Sequence, residues 1–157
     1  MRELSVNSPL GPLTVIEADG AIIELDWRRT KNEESSLLLE TAADEISHYF
    51  NGSLKTFSVP LNPVGTEFQK SVWQQMCEIP YGEALSYGDV AKRLSSSPRA
   101  VGTACGRNPI PIIIPCHRIV GANGSMTGYT GAGGTKTKSF LLDLESNQAA
   151  LPLVQPN

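Results

Sequence analysis

The sequence predicts a small α/β N-terminal domain, an antiparallel sheet plus one helix. A mostly α-helical C-terminal domain containing a helix-turn-helix follows it. Three observations carry this expectation. Short apolar stretches separated by turn residues fill the first 25 positions. An apolar repeat of four residues follows them. Beyond residue 65, capping residues and helix breakers alternate at helical spacing. The expected boundaries are 1–62 for the first domain, 66–147 for the second and 148–157 for a loosely held tail.

The elements follow in order. Leu4–Val6, Leu13–Ile16 and Ala21–Leu25 read as strands, divided by Ser8-Pro9-Leu10-Gly11-Pro12 and Ala18-Asp19-Gly20 turns. A helix begins at about Glu33, with Leu38, Ala42, Ile46 and Phe50 as its apolar stripe and Asn51-Gly52 as its left-handed stop. Phe57–Leu61 is a further extended piece, cut by Pro60 and Pro63, and 62–65 forms a linker. Thr66 caps a helix bearing Phe68, Val72, Met76 and Ile79, which Pro80 and Gly82 end. Ser86 caps a short helix from Tyr87 to Leu94. Ser97 caps another from Pro98 to Gly106, with proline at the first helical position, where its missing N–H does no harm. Two short helices joined by a Ser95-Ser96-Ser97 turn look like a helix-turn-helix, though many helical hairpins bind nothing. Three prolines between Asn108 and Pro115 forbid a helix or a central strand, so an extended buried segment is expected to deliver Cys116. Six glycines between Gly121 and Gly134 mark a loop. A last helix, Thr135 to Ser146, is expected to pack Phe140, Leu141 and Leu144.

Composition sets further bounds. The chain has 157 residues and a formal net charge of -3. A chain of this length buries roughly 70% of its unfolded surface and needs no disulfide or metal staple. Its longest uncharged apolar run, Ile110–Cys116, falls far short of the ~20 residues that cross a bilayer, so no membrane association is expected. The N-terminus lacks an apolar signal core, so no export is expected. Charge is uneven: residues 1–65 hold five bases against ten acids, whereas 84–142 holds seven bases and the single acid Asp89. Such asymmetry marks either a nucleic-acid surface or ordinary scatter on a solvated face. Three cysteines, Cys77, Cys105 and Cys116, suggest free thiols in a reducing, cytoplasmic compartment. With no CxxC pair and only His48 and His117, no metal site is expected.

Cys116-His117 is the one place where a thiol and an imidazole are neighbours. Adjacent side chains of an extended chain point apart, but a turn after Pro115 or a bridging water would let them cooperate. A base or positive charge nearby lowers a thiol pKa, and His117 and Arg118 are both at hand. A structural Cys-His pair is the plainer reading of the spacing.

The wording around the pair is more specific. Pro115-Cys116-His117-Arg118-Ile119 resembles the active-site motif of the O6-alkylguanine-DNA alkyltransferases. Arg99-Ala100-Val101-Gly102 and Arg107-Asn108-Pro109 precede it at the family's separations. Pro80-Tyr81-Gly82-Glu83 and Ser86-Tyr87 lie before those, and Gly128-Tyr129 and Lys138 to Glu145 come after. The resemblance is dense from Gly65 to Glu145 and looser over residues 1–61, where Ser8 to Leu13 matches the start of the family's N-terminal domain.

The resemblance implies DNA repair by direct reversal. Cys116 would take the alkyl group irreversibly from O6-alkylguanine, and from O4-alkylthymine, in double-stranded DNA. His117 would remove the thiol proton through a water, and Glu145 would orient His117. Tyr87 would donate a proton or hydrogen bond to the purine. Asn108 would pin the turn that holds Cys116. Arg99 would fill the gap left by a base flipped out through the minor groove, with Ala100, Gly102 and Thr103 on the DNA-facing side of its helix. Tyr129, Thr130, Ile119 and Lys138 would line the pocket. A thioether has no good leaving group, so one turnover per molecule is expected, without cofactor or metal. The residues 66–147 would then be the catalytic DNA-binding domain and 1–62 a supporting one. A monomer is expected, nucleoid-associated if bacterial.

Alternatives remain at several residues. Arg118 reads more readily as an ion-pair partner than as a catalytic group. Lys138 is either a surface charge or a lysine near the pocket, and Tyr129 can simply pack. Cys77 and Cys105 read as core and packing residues. A shorter turn before Arg99 leaves the angle between the two helices open, and a longer loop after Tyr129 leaves the pocket width open. A non-catalytic lesion sensor and a Cys116–His117 hydrolase are the competing functions.

Overall fold

The computed structural model describes residues 1–125 and 133–150, the side chains of 147–150 excepted. Two compact units divide the chain between Val64 and Gly65.

In the first unit, β1 (Arg2–Val6), β2 (Leu13–Ala18) and β3 (Ala21–Asp26) form an antiparallel sheet in chain order. Asp19 and Gly20 both take positive φ, 51° and 80°, as a tight two-residue hairpin turn requires. Leu13, Val15, Ile22 and Leu25 turn inward from the sheet. Helix α1 (Leu37–Phe50) starts four residues later than the sequence suggests, because Ser36 is its cap and accepts from the Leu39 N–H at 3.1 Å. Its buried stripe is Leu39, Ala42, Ile46 and Tyr49, not Leu38 to Phe50 in steps of four. A strict four-residue step drifts ~40° around a 3.6-residue helix each time; alternating threes and fours stays on one face. Gly52 ends the helix at φ 86°. The predicted extended piece pairs only at its end. Ile22 donates to the Pro60 carbonyl at 2.9 Å and accepts from the Asn62 N–H at 2.8 Å, so the missing proline N–H costs nothing there.

In the second unit, α2 (Glu67–Cys77) opens with a full capping box between Thr66 and Gln69 and buries Val72, Trp73 and Met76. The Trp73 indole donates to the Ala104 carbonyl at 2.9 Å. Cys77, expected in the core, is exposed, because it lies one residue (~100°) beyond Met76 around the helix. Strand β4 (Leu85–Ser86) runs straight into α3 (Tyr87–Arg93), and α4 (Pro98–Gly106) follows a turn in which Ser95 takes φ 53°. Ser86 and Ser97 cap these helices as expected. Strand β5 (Ile119–Val120) pairs with β4 in parallel. Nothing in the local sequence announces this pairing.

Helix α5 (Thr135–Ala150) runs past Ser146 into the expected tail, whose residues 151–157 lie outside the described set. Its inward residues are Thr137, Lys138, Leu141 and Glu145, and Phe140 is 38% exposed rather than buried. Two inward positions carry charge, so hydrophobicity alone misplaces the helix face. Among the described residues no helix is long and apolar enough to cross a membrane.

Gly65 tests the packing where the second unit begins. A Cβ there would lie 2.5 Å from Trp73 Cη2 and 2.7 Å from Cζ3. Gly65→Ala is expected to lower stability by ~1–3 kcal/mol, read as a shift in urea midpoint at constant slope. An unchanged midpoint would show that Trp73 does not pack against this glycine.

Candidate active site

The platform is a loop folded back on itself. The Asn108 Nδ2 donates to the Ile114 carbonyl and its Oδ1 accepts from the Ile110 N–H, both at 2.9 Å. The Ile114 N–H donates to the Ile110 carbonyl at 2.9 Å, and the Cys116 N–H to the Ile114 carbonyl at 2.8 Å. The segment expected to be extended is therefore a tight turn, with Ile112 at φ 74°. A β-branched residue in the left-handed region is strained, and the two Asn108 bonds help hold it there. Every residue from Ile110 to Val120 is buried.

The turn delivers Cys116–Arg118 as one turn of 3-10 helix. Successive side chains there diverge by ~120° instead of pointing oppositely as in a strand. The Cys116 thiol is 7% exposed. Burial pushes it up to about 11, against the Asn108 hydrogen bond and the Lys138 charge. At neutral pH it is a thiol and needs a base before it can react as a nucleophile.

His117 has the geometry of that base. It is fully buried, and its Nε2 lies 2.7 Å from Glu145 Oε2. Burial holds the imidazole below its ordinary pKa, although Glu145 pulls the other way. Glu145 is 1% exposed. Burial alone would raise its pKa, but hydrogen bonds from His117 and Arg118 hold it down at about 2. A carboxylate only accepts, so the proton of neutral His117 sits on Nε2. Nδ1 is left as a bare acceptor, buried and without a hydrogen-bond partner among the described residues.

Three more groups complete the surroundings. Arg118 donates from Nε to Glu145 Oε1 at 2.8 Å and from Nη2 to Oε2 at 3.0 Å, as an ion-pair partner should. Lys138 is 1% exposed, which excludes a surface charge, and its ammonium lies 5.6 Å from the centroid of the Tyr87 ring. Burial lowers its pKa while Cys116 and Cys105 oppose the shift. Cys105 is buried, as a packing residue would be, and its thiol is pushed up to about 12 by burial, with Cys116 adding and Lys138 opposing. No sequence signal places Cys105 in this neighbourhood.

Tyr87 opens α3 directly after β4, and β4 pairs with β5 just beyond the Cys116 turn. A Cβ on Gly102 would come 3.8 Å from the Tyr87 ring, so α4 leans on it. Along α4, Arg99 and Thr103 are exposed and Ala100 and Gly102 half-buried, with the Thr103 hydroxyl donating to the Arg99 carbonyl at 3.1 Å. Ile119 is fully buried within β5. Tyr129 and Thr130 lie outside the described residues. Of the seven bases in 84–142, Arg118 and Lys138 are buried, leaving Lys92, Arg93, Arg99, Arg107 and Lys136 on the surface. Among the described residues no three His, Cys, Asp or Glu side chains group as metal ligands.

The buried pair makes stability depend on pH. Glu145 is depressed from 4.5 to about 2, so its contribution is full above about 4.5 and is lost as pH falls toward 2. His117 is depressed from 6.5, so protons bind more readily to the unfolded chain below that value, also destabilising at acid pH. Between pH 4.5 and pH 2.5 the urea midpoint should fall, with Glu145 contributing on the order of 3 kcal/mol; from pH 7 to 4.5 Glu24, held up at about 7, opposes the His117 contribution. Glu145→Gln should flatten the limb below pH 4.5. An equally steep limb in the variant would mean that another carboxylate carries it.

Comparison with known proteins places this arrangement. Residues 67–147 match the DNA-binding domain of 6-O-methylguanine DNA methyltransferase, and residues 1–63 match its ribonuclease-like domain. A methylated-DNA–protein-cysteine methyltransferase of Methanosarcina mazei is 51% identical over 129 residues, covering 81% of this chain and 77% of its own. A constitutive enzyme of the same name from Bacillus subtilis is 42% identical over 155 residues, covering 90% of this chain and 93% of its own. The crystal structure of Mycobacterium tuberculosis OGT in complex with DNA superposes with a TM-score of 0.84 at 40% identity, covering 94% of each chain. With both units matched and the thiol, imidazole and carboxylate assembled, this chain belongs to the 6-O-methylguanine DNA methyltransferase family.

Proposed function

We propose that this chain repairs DNA by transferring the alkyl group of O6-alkylguanine, and of O4-alkylthymine, irreversibly to Cys116. The observation that carries the reading is the bare, buried Nδ1 of His117, whose other nitrogen is tied to Glu145 at 2.7 Å one residue from a thiol that needs deprotonation.

In this mechanism a water passes the Cys116 proton to His117 Nδ1, and Glu145 stabilises the imidazolium that forms. The thiolate attacks the alkyl carbon, an S–C bond forms, and the C–O6 bond breaks. The released electron pair goes to the purine, and a proton or hydrogen bond from Tyr87 meets the developing charge. Once the purine takes up a proton, from Tyr87 or from solvent, the product is guanine plus an S-alkylcysteine, and the His117 imidazolium returns its proton to solvent. A thioether offers water no leaving group, so each molecule acts once, without cofactor or metal.

The lesion reaches Cys116 by base flipping. In this reading Arg99, at the exposed start of α4, fills the vacated stack, and Ala100, Gly102 and Thr103 face the minor groove. Asn108 holds the turn, and Lys138, Ile119, Tyr129 and Thr130 line the pocket. Residues 66–147 carry the chemistry, 1–62 support it and 148–157 are a tail. The protein acts as a monomer in the cytoplasm, associated with the nucleoid if its source is bacterial.

Incubation with a duplex carrying labelled O6-methylguanine, followed by digestion, should place the label on Cys116 in a 1:1 yield. Label left in the DNA with binding intact would point to a lesion sensor. Repeated turnover of an ester or amide would point to a hydrolase. Cys116→Ala should keep duplex binding and abolish transfer. Arg99→Ala should slow duplex repair more than reaction with free O6-benzylguanine, and equal losses would argue against a base-displacing role.

A further inference from the structure

Arg118 is more than a neighbour of the relay. Its guanidinium makes two bonds to Glu145, at 2.8 and 3.0 Å, and a third from Nη1 to the Ile79 carbonyl at 2.7 Å. Its charged carbon also lies 5.7 Å from the centroid of the Tyr81 ring. Glu145 Oε2 is therefore shared: it receives His117 Nε2 and Arg118 Nη2 together. Because Ile79 follows α2 and Glu145 lies on α5, the guanidinium spans two elements and fixes the carboxylate in one rotamer.

We propose that Arg118 is a positioning residue for alkyl transfer: it clamps Glu145 and neutralises it, so that Glu145 orients His117 while leaving Nδ1 free of a proton in the resting enzyme. An unneutralised carboxylate at 2.7 Å would favour imidazolium, and a protonated Nδ1 cannot accept the Cys116 proton. Burial is the largest cause opposing that bias, and Arg118 reduces it further while keeping the Nε2 bond. The groups bearing on this balance are known on each side. Glu145 and Lys138 come from α5, and Cys116 precedes His117. Tyr81 precedes β4, and Cys77 at the end of α2 responds to Arg118. Lys138 also disfavours imidazolium, and Arg118 bears on His117 more strongly.

The proposal rests on the His117 relay above, and its test is separable from alkyl transfer. The first measurement is the 15N NMR titration of the His117 ring without substrate, in Arg118→Gln, Arg118→Lys and the unaltered chain. Gln keeps one neutral donor and removes the charge, so the His117 midpoint should rise by about one pH unit. Lys keeps the charge and loses the fork, so its midpoint should stay near that of the unaltered protein. The second measurement is the pH dependence of reaction with O6-benzylguanine. Its acidic limb should move up in parallel for Gln and return with Lys. Identical His117 midpoints in all three proteins would overturn the proposal, whatever the transfer rates. A His117 shift without a matching shift of the acidic limb would instead overturn the role of His117 as base. Should Arg118→Gln not fold, Arg118→Met removes the same charge and keeps the alkyl stem; its His117 midpoint should likewise rise by about one pH unit, and an unchanged midpoint overturns the proposal.

Discussion

The Glu145 carboxylate is the group on which the second unit turns. A lone carboxylate at 1% exposure would cost several kcal/mol to desolvate. It is stable there because His117 and Arg118 supply three hydrogen bonds to its two oxygens. Those bonds tie α5 to the 3-10 turn at Cys116–Arg118, and Arg118 ties that turn to the end of α2 through Ile79. The same atoms that hold three segments together also select the histidine tautomer. In the proposed relay, stability and reactivity therefore share one carboxylate, because the bonds that orient His117 also hold the surrounding fold.

A second constraint places Cys116, the proposed nucleophile. Asn108 satisfies one donor and one acceptor of the 110–114 turn with a single side chain. The Ile114 carbonyl takes bonds from both the Asn108 amide and the Cys116 N–H. A buried loop otherwise strands its polar groups, and prolines at 109, 111 and 115 reduce the number of donors to satisfy. The price of the arrangement is an isoleucine at positive φ. Beyond the turn, the β4–β5 pairing sets Tyr87 beside the emerging chain, and Lys138 over its ring joins Tyr87 to the thiol neighbourhood.

What could be read in advance differs by element. The caps Ser86 and Ser97 and proline at the first position of α4 mark helix starts because capping is a local hydrogen bond written in adjacent residues. The buried stripe of α1, Leu39 to Tyr49, differs by one position at each end from a strict step of four, because a helix turns once every 3.6 residues. The exposure of Phe140 was unreadable from hydrophobicity, since Lys138 and Glu145 occupy the inward face of α5. Charge was misleading in the same way: two of the seven bases in 84–142 are interior and serve the site rather than the surface.

The sequence by itself determined the order and type of the helices, the caps that start them, and the thiol-imidazole pair at 116–117. These depend on residues within a few positions of one another, where spacing is geometry. The motif resemblance also implies Glu145 as the partner of His117, 28 residues away. Tertiary structure alone decided that Nδ1 of His117 has no hydrogen-bond partner among the described residues and that Arg118 shares its carboxylate. It also decided that Lys138 is interior and that two two-residue strands align Tyr87 with the turn. Each of these is a contact between segments far apart in the chain, fixed by burial and by the need to satisfy every buried polar group at once.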